Sequence, residues 1–207
     1  MRTYPVFLLL EGSTVLTVGG GQVAARKIES LAQAGAYVKV VAKEVDAEIM
    51  EFEKQGICSV ETRGYRHGEA ASYPLTIAAT DDMETNRAVA ADAVAANRLV
   101  NVVDQPDLCN FIVPSIIRRG ALTVAISTGG AAPSFSKRLR ERAEKIFPES
   151  LGGLIEVLAE FRAHIIKTVP DIGERKRIMT EVANSPETDA FLEGDDKPLK
   201  ELLSKWT

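Results

Sequence analysis

Two hydrophobic rhythms alternate along the first half of this chain. Short apolar runs at Val15–Val18, Tyr37–Ala42, Ile57–Glu61, Leu75–Ala79 and Leu99–Val103 are separated by stretches in which apolar residues return every three or four positions. The nearly unbroken runs predict strands covered on both faces, and the periodic stretches predict helices over Gln22–Ala34, Val45–Lys54 and Met83–Ala96. Gly35 and Gly56 stand where helix C-caps belong. Thr80-Asp81-Asp82 supplies N-cap chemistry to the third helix. Strands alternating with helices imply an α/β fold with a parallel, doubly wound sheet of the Rossmann type. Phe7–Leu10, followed by the turn-type tripeptide Glu-Gly-Ser, predicts a short strand that opens the chain as a hairpin with Val15–Val18. Arg63–Ser72 has no clear period and reads as a loop.

After Asp104 the pattern changes. Phe111–Ile117 and Leu122–Ile126 are strand-type runs joined by Arg-Arg-Gly-Ala, which predicts a hairpin rather than another crossover. A second small-residue loop, Ser-Thr-Gly-Gly-Ala-Ala-Pro-Ser at 127–134, leads into a basic helix over Ser134–Lys145 that Phe147-Pro148 breaks. The remainder reads as helical over 151–168, 174–183 and about 197–205. Three parts follow from this: a Rossmann-type domain over 1–113, a hairpin-plus-helix connector over 114–148, and a helical C-terminal domain over 149–207. A two-stranded hairpin is marginal alone. The apolar residues Phe111, Ile112, Ile116, Ile117, Leu122, Val124 and Ile126 exceed what it can bury. A homodimer in which these strands meet the partner's is therefore expected.

Bulk properties narrow the classes. The chain has 207 residues, 45% of them hydrophobic and 26% charged, which is ordinary for a globular protein. A net charge of −4 argues against nucleic acid as a partner. No apolar stretch reaches the ~18 residues of a membrane helix, and Phe7–Leu10 lacks the flanks of a signal peptide. Cys58 and Cys109 form no C-x-x-C pair, so reduced thiols in a cytoplasmic protein are expected. His67 and His164 lie far apart in sequence, and no metal site is expected.

The chemistry concentrates at the predicted carboxyl ends of the strands. Val18-Gly-Gly-Gly-Gln-Val-Ala sits between a strand and a helix, as in a dinucleotide-binding βαβ unit. Gly19 permits the tight turn, Gly20 continues it, and Gly21 lets a pyrophosphate approach the backbone. Gln22 and Val23 then open a helix whose free N–H groups face the phosphates. At the second strand end Glu44 could read the ribose hydroxyls of NAD, whereas Lys43 could equally greet a 2′-phosphate or stand as a solvated lysine. Thr80 follows the fourth predicted strand. Asp104 follows the fifth, in Asn-Val-Val-Asp-Gln-Pro, where it reads either as a turn residue before Pro106 or as a general base beside a nicotinamide. Lys137, Arg138, Arg140, Arg142 and Lys145 make either a solvated helix face or one that reads anions together with the 127–130 loop.

Five motifs in order resemble the precorrin-2 dehydrogenase family, whose domain also forms the N-terminal half of sirohaem synthases. They are Val18–Lys27, Ala78-Ala-Thr-Asp-Asp82, Asn101-Val-Val-Asp104, Asn110-Phe-Ile-Val-Pro-Ser115, and Ser127-Thr-Gly-Gly130 with Pro133. The resemblance spans residues 1 to about 148. It implies NAD-dependent oxidation of precorrin-2 to sirohydrochlorin, with Asp104 as the catalytic residue. It also implies cofactor contacts at Gln22-Val23 and Lys43-Glu44, and a tetrapyrrole pocket at Ser127, Thr128, Gly129 and Asn101. Thr128 stands where relatives often carry a second serine, and a hydroxyl is kept. Some members also insert Fe²⁺ into the product, a step in which Asp104 could again accept protons. A substrate bearing many carboxylates would explain a cationic helix in an acidic chain. Two other classes compete on the residues alone: another NAD(P)-dependent oxidoreductase, and a non-catalytic NAD-sensing protein.

Overall fold

A computed structural model describes residues 2–206, in two compact units, one ending at Val113 and one beginning at Pro114. In the first unit, β1 (Thr14–Val18), β2 (Tyr37–Ala42), β3 (Cys58–Thr62), β4 (Leu75–Ala78) and β5 (Leu99–Val102) form one sheet in the order β3-β2-β1-β4-β5. Every pairing is parallel. The helices α1 (Gln22–Ala32), α2 (Ala47–Lys54) and α3 (Met83–Ala95) connect and cover the strands. The apolar runs predict strands because both faces are covered. Val15, Val38, Val40, Leu75 and Ile77 pack with α1 and α2 on one side. Leu16, Val18, Val41 and Ala78 pack with α3 on the other.

The expected opening hairpin does not form. Phe7–Leu10 carries no strand, and β1 has β2 on one edge and β4 on the other, so no edge remains for a preceding strand. A turn closed by Ser13 N–H and the Leu10 carbonyl, 2.9 Å apart, leads into the sheet instead. Leu10 packs against the core while Phe7 and Leu9 stay exposed. The segment read as loop over 63–72 ends in a 3₁₀ turn at Glu69–Ser72.

In the second unit β6 (Ser115–Arg119) and β7 (Leu122–Ile126) pair antiparallel, followed by α4 (Pro133–Ala143), α5 (Ser150–Thr168), α6 (Ile172–Ala183), α7 (Pro186–Leu192) and α8 (Lys197–Leu203). Strand β6 starts later than Phe111 because that residue belongs to the first unit's core, and its carbonyl accepts from Asn101 Nδ2 at 3.1 Å. Helix α7 was not expected. Ser185 caps it by accepting from Thr188 N–H at 3.3 Å, and Pro186 opens it, so a residue that reads as a breaker is a first-turn proline. Leu154, Phe161, Ile165, Ile178, Val182 and Leu199 form this unit's core.

Candidate functional site

Doubly wound sheets bind ligands outside the carboxyl ends of the strands, where the strand order reverses. Here the reversal lies between β1 and β4. A cleft of about 620 Å³ opens there, entirely within the first unit. Gly19, Gly20, Gly21, Gln22 and Val23 line it from the β1 end, Lys43 and Glu44 from the β2 end, and Thr80 from the β4 end.

The three glycines do different work. Gly19 has φ +126°, and a Cβ there would lie 2.2 Å from the Ala79 carbonyl oxygen. Gly20 is pressed against the β2–α2 loop: a Cβ would meet the Glu44 carbonyl oxygen at 2.0 Å, and the Gly20 carbonyl accepts from Asp46 N–H at 2.8 Å. Gly21 is the N-cap of α1 and faces open space, with nothing within 4 Å of where a Cβ would stand. No side chain caps α1. The first N–H groups of that helix therefore have no intrahelical acceptor and face the space beside Gly21, a cradle that fits a pyrophosphate.

The rest of the rim is less simple. Lys43 is exposed, and its Cε lies 3.6 Å from where a Cβ on Gly64 would stand. Its charge helps to hold Asp82 below the usual carboxylate range, after the larger effect of the hydrogen bonds from Thr85. The Thr80 hydroxyl is spent inside the loop. It bonds Asn86 Oδ1 at 2.8 Å and accepts from Asp82 N–H at 3.2 Å.

Asp104 stands just past β5, exposed, in the left-handed region with φ +58°. Aspartate tolerates that conformation better than most residues, but at a cost, so the surrounding loop must hold it. Three side chains do so. Cys109 Sγ accepts from Val102 N–H at 3.1 Å, Asn101 Nδ2 donates to the Phe111 carbonyl, and Asn110 Oδ1 accepts from Val100 N–H at 2.8 Å. Asn101 is thus committed to the loop that carries Asp104. Asp104 does not line the cleft, and no ion pair or hydrogen bond holds its carboxylate among the described residues. Lys27, on α1 and half-buried, is held below the usual lysine range by burial and by Arg26, while the Asp104 charge acts against both.

In the second unit, Ser127 Oγ accepts from Gly129 N–H at 3.0 Å. Thr128 Oγ1 accepts from Ala132 N–H at 3.1 Å and bonds Ser136 Oγ at 3.0 Å. Of the α4 cations, Arg140 is paired with Glu144 and lies 3.8 Å from Glu141. Lys137, Arg138, Arg142 and Lys145 are exposed.

The sequence reading passed over Arg63, Gly64 and Tyr65, which line the cleft from the end of β3. Tyr65 donates to the buried Asp92 on α3 at 2.7 Å, and Asp92 also accepts from Gly68 N–H at 2.6 Å. Burial works against the Asp92 charge, but the bonds from Tyr65, Gly68 and His67 outweigh it and hold the carboxyl below its ordinary value. Burial and the Asp92 carboxylate push the Tyr65 phenol up. The available signal was the position of Arg63-Gly64-Tyr65 at a strand's carboxyl end.

Comparison with known proteins agrees with this geometry. An NAD(P)-binding domain model matches residues 6–115, a sirohaem biosynthesis protein central model 119–145, and a sirohaem synthase dimerisation region model 150–205. A solved structure of SirC, precorrin-2 dehydrogenase, superposes with a TM-score of 0.85 at 30% identity, over 99% of this chain and 98% of that one. The chain belongs to the precorrin-2 dehydrogenase family. Among curated relatives, the siroheme synthase of Azotobacter vinelandii is 39% identical and that of Pseudomonas putida (strain W619) 40%, each over 98% of this chain. The siroheme synthase of Chromobacterium violaceum is 38% identical over 99% of it. The chain spans 44% of the length of each of these three relatives. The residues that line the cleft all fall within the span of the NAD(P)-binding model, and the match to the dimerisation region falls on α5–α8. Among the described residues no helix is long and apolar enough to cross a membrane.

Proposed function

We propose that this chain oxidises precorrin-2 to sirohydrochlorin with NAD⁺ as the acceptor, a step of sirohaem biosynthesis. The observation that carries the reading is the uncapped α1 N-terminus behind Gly21, at the point where the strand order reverses. NAD⁺, when bound there, supplies a two-electron hydride acceptor. The chain's own part is binding, orientation and proton removal. Gly19 and Gly20 hold the turn, while Gly21, Gln22 and Val23 offer backbone N–H groups to the pyrophosphate. Glu44 and Lys43 stand at the ribose, and Thr80 shapes the far wall of the cleft. Asp104 accepts the proton that leaves the macrocycle when its hydride equivalent is lost, so that one oxidised tetrapyrrole, one reduced cofactor and one proton result. Ser127, Thr128 and Gly129 meet the substrate's carboxylate arms. Asn101 also meets the substrate: its Nδ2 is bonded to Cys109 and Phe111, and its Oδ1 is the atom that would accept.

The assembly proposed is a homodimer, supported by the match to a dimerisation region and by half-buried Ile116, Leu122 and Val124 on the hairpin. The working division is a dinucleotide domain over 1–113, a hairpin-plus-helix region for substrate and dimer contacts over 114–148, and helices over 149–207, which carry the match to a dimerisation region. A cytoplasmic location is supported by two free thiols, Cys58 buried and Cys109 bonded within its loop. The function is tested by anaerobic incubation with precorrin-2 and NAD⁺. Sirohydrochlorin and reduced cofactor should appear in equal amounts, and neither should form if the reading is wrong. Light scattering at micromolar concentration should report a dimer, and a monomer would refute that assembly.

A further inference from the structure

Arg63 belongs to the cleft wall, yet its guanidinium is already in use. Nε donates to Glu61 Oε2 at 2.7 Å. Nη1 donates to the Gly64 carbonyl and to Glu69 Oε2, both at 3.0 Å. Nη2 bonds Glu69 Oε1 and lies 2.5 Å from Glu61 Oε2. A guanidinium has five N–H donors, and here they meet five acceptor contacts. The clamp is itself anchored: Glu69 also accepts from Arg66 N–H at 2.8 Å, and Glu61 is paired with Lys39. The Arg63 side chain keeps only 19% of its accessibility.

The position matters as much as the saturation. Arg63 N–H donates to the Ala42 carbonyl at 2.8 Å, so Arg63 hangs from the last residue of β2. That strand end is where a dinucleotide site reads the adenosine ribose. With its edge occupied by four hydrogen bonds and the ion-pair contact of Nη2 with Glu61, the group has its flat face left for a ligand, the surface on which an aromatic ring stacks. The nearby charge is unfavourable to a further anion. Glu44, Asp46, Asp81 and Asp82 line the cleft beside Lys43, and the Arg63 charge is already met by Glu61 and Glu69.

We propose that Arg63, clamped by Glu61 and Glu69, is a specificity-determining residue that stacks on the adenine and withholds its own charge from a 2′-phosphate. The clamp therefore favours NAD over NADP, since it leaves Lys43 as the one cation among the described lining residues to meet that phosphate. The inference rests on reading the cleft as a dinucleotide site, but not on the reaction carried out there. Calorimetric titration of the full chain with NAD⁺ and NADP⁺, without tetrapyrrole, tests it. The wild type should bind NADP⁺ at least about tenfold more weakly than NAD⁺, since the carboxylates that line the cleft repel the added phosphate. Glu69→Gln removes the carboxylate charge that neutralises the guanidinium, so it should narrow that ratio by about tenfold while NAD⁺ affinity changes little. Arg63→Leu should weaken NAD⁺ binding. If circular dichroism shows that Glu69→Gln does not fold, Glu61→Gln should narrow the ratio in the same direction. Equal wild-type affinity for both nucleotides, or a folded clamp variant with an unchanged ratio, would overturn the role of Arg63. Failure of the wild type to bind either nucleotide would overturn the dinucleotide reading as well.

Discussion

Gly19–Gly21 and Ser127–Gly130 are both runs of small residues that carry the chain from a strand into a helix, and their hydrogen bonds run in opposite directions. In the first loop no side chain caps the helix that follows, and a Cβ on Gly21 would meet nothing within 4 Å. In the second, the loop's own hydroxyls take up its N–H groups: Ser127 bonds Gly129, and Thr128 bonds Ala132 and Ser136. A loop that leaves helix N–H groups unspent is prepared for an external anion. The second loop spends its own N–H groups, at Gly129 and Ala132, although α4 too has no side-chain cap, so a ligand there meets the outer face of the hydroxyls, the start of α4 or its exposed cations. Composition alone makes the two look alike. The difference lies in whether a side-chain oxygen stands within reach of the N–H groups.

The largest effect should come from the first loop. Gly20→Ala puts a methyl group 2.0 Å from the Glu44 carbonyl oxygen. That nearest neighbour is backbone, and the Ala42 Cβ stands a further obstacle at 2.9 Å, so the cost should be roughly 2–4 kcal/mol. Chemical denaturation should show it as a lowered midpoint, and a wild-type midpoint would refute the tight approach of Gly20 to the β2–α2 loop. Next comes Gly21→Asp. The fold should be kept because the space is open, while NAD⁺ affinity drops by about 100-fold or more through loss of the phosphate approach and charge repulsion. Unchanged affinity in the folded variant would remove this loop from the site. In the second loop, Thr128→Val deletes an acceptor for Ala132 N–H and should cost about 1 kcal/mol without touching NAD⁺ affinity. Thermal melting and titration together check this contrast.

The smallest effect is a pH dependence at the cleft wall. The Arg63 guanidinium holds the Glu69 carboxyl below its ordinary value. A carboxylate with a lowered folded-state pKa adds stability above its unfolded value and loses it as pH falls through the folded one. The Arg63–Glu69 contribution should therefore be complete at neutral pH and disappear on acidification below the usual carboxylate range. Glu69→Gln should flatten that acid limb by a few tenths to about 1 kcal/mol, as read from denaturation midpoints at a series of pH values. An unchanged acid limb would contradict the clamp.

How much of this was legible in the sequence depended on the range of the interactions. The sheet could be read because burial on both faces requires nearly unbroken apolar runs such as Val38–Ala42, interrupted by Lys39, and Leu75–Ala78, interrupted by Thr76. The turn at Gly19 could be read because a strand, a glycine turn and a helix follow one another locally. The constraint on Gly20 could not, since its contact, the Glu44 carbonyl, is distant in sequence and carries no residue signature. The opening hairpin failed for a topological reason: Phe7–Leu10 has strand composition, but β1 has no free edge. Arg63 and Tyr65 were missed because Glu61, Glu69 and Asp92 meet them only after folding, and the intervening segment has no period. Asp104 stood out by its place after a strand. That Cys109, Asn101 and Asn110 hold its loop is visible only in three dimensions.

The most direct test of the account is single-turnover oxidation of precorrin-2 by Asp104→Ala under anaerobic conditions with saturating NAD⁺, beside an independent titration of NAD⁺ binding. Asp104 lies outside the cleft wall and makes no side-chain bond to it, so NAD⁺ affinity should match the wild type. Loss of a general base should slow sirohydrochlorin formation by roughly 10²- to 10⁴-fold. A variant that binds NAD⁺ normally and turns over at a near-wild-type rate would contradict the role given to Asp104.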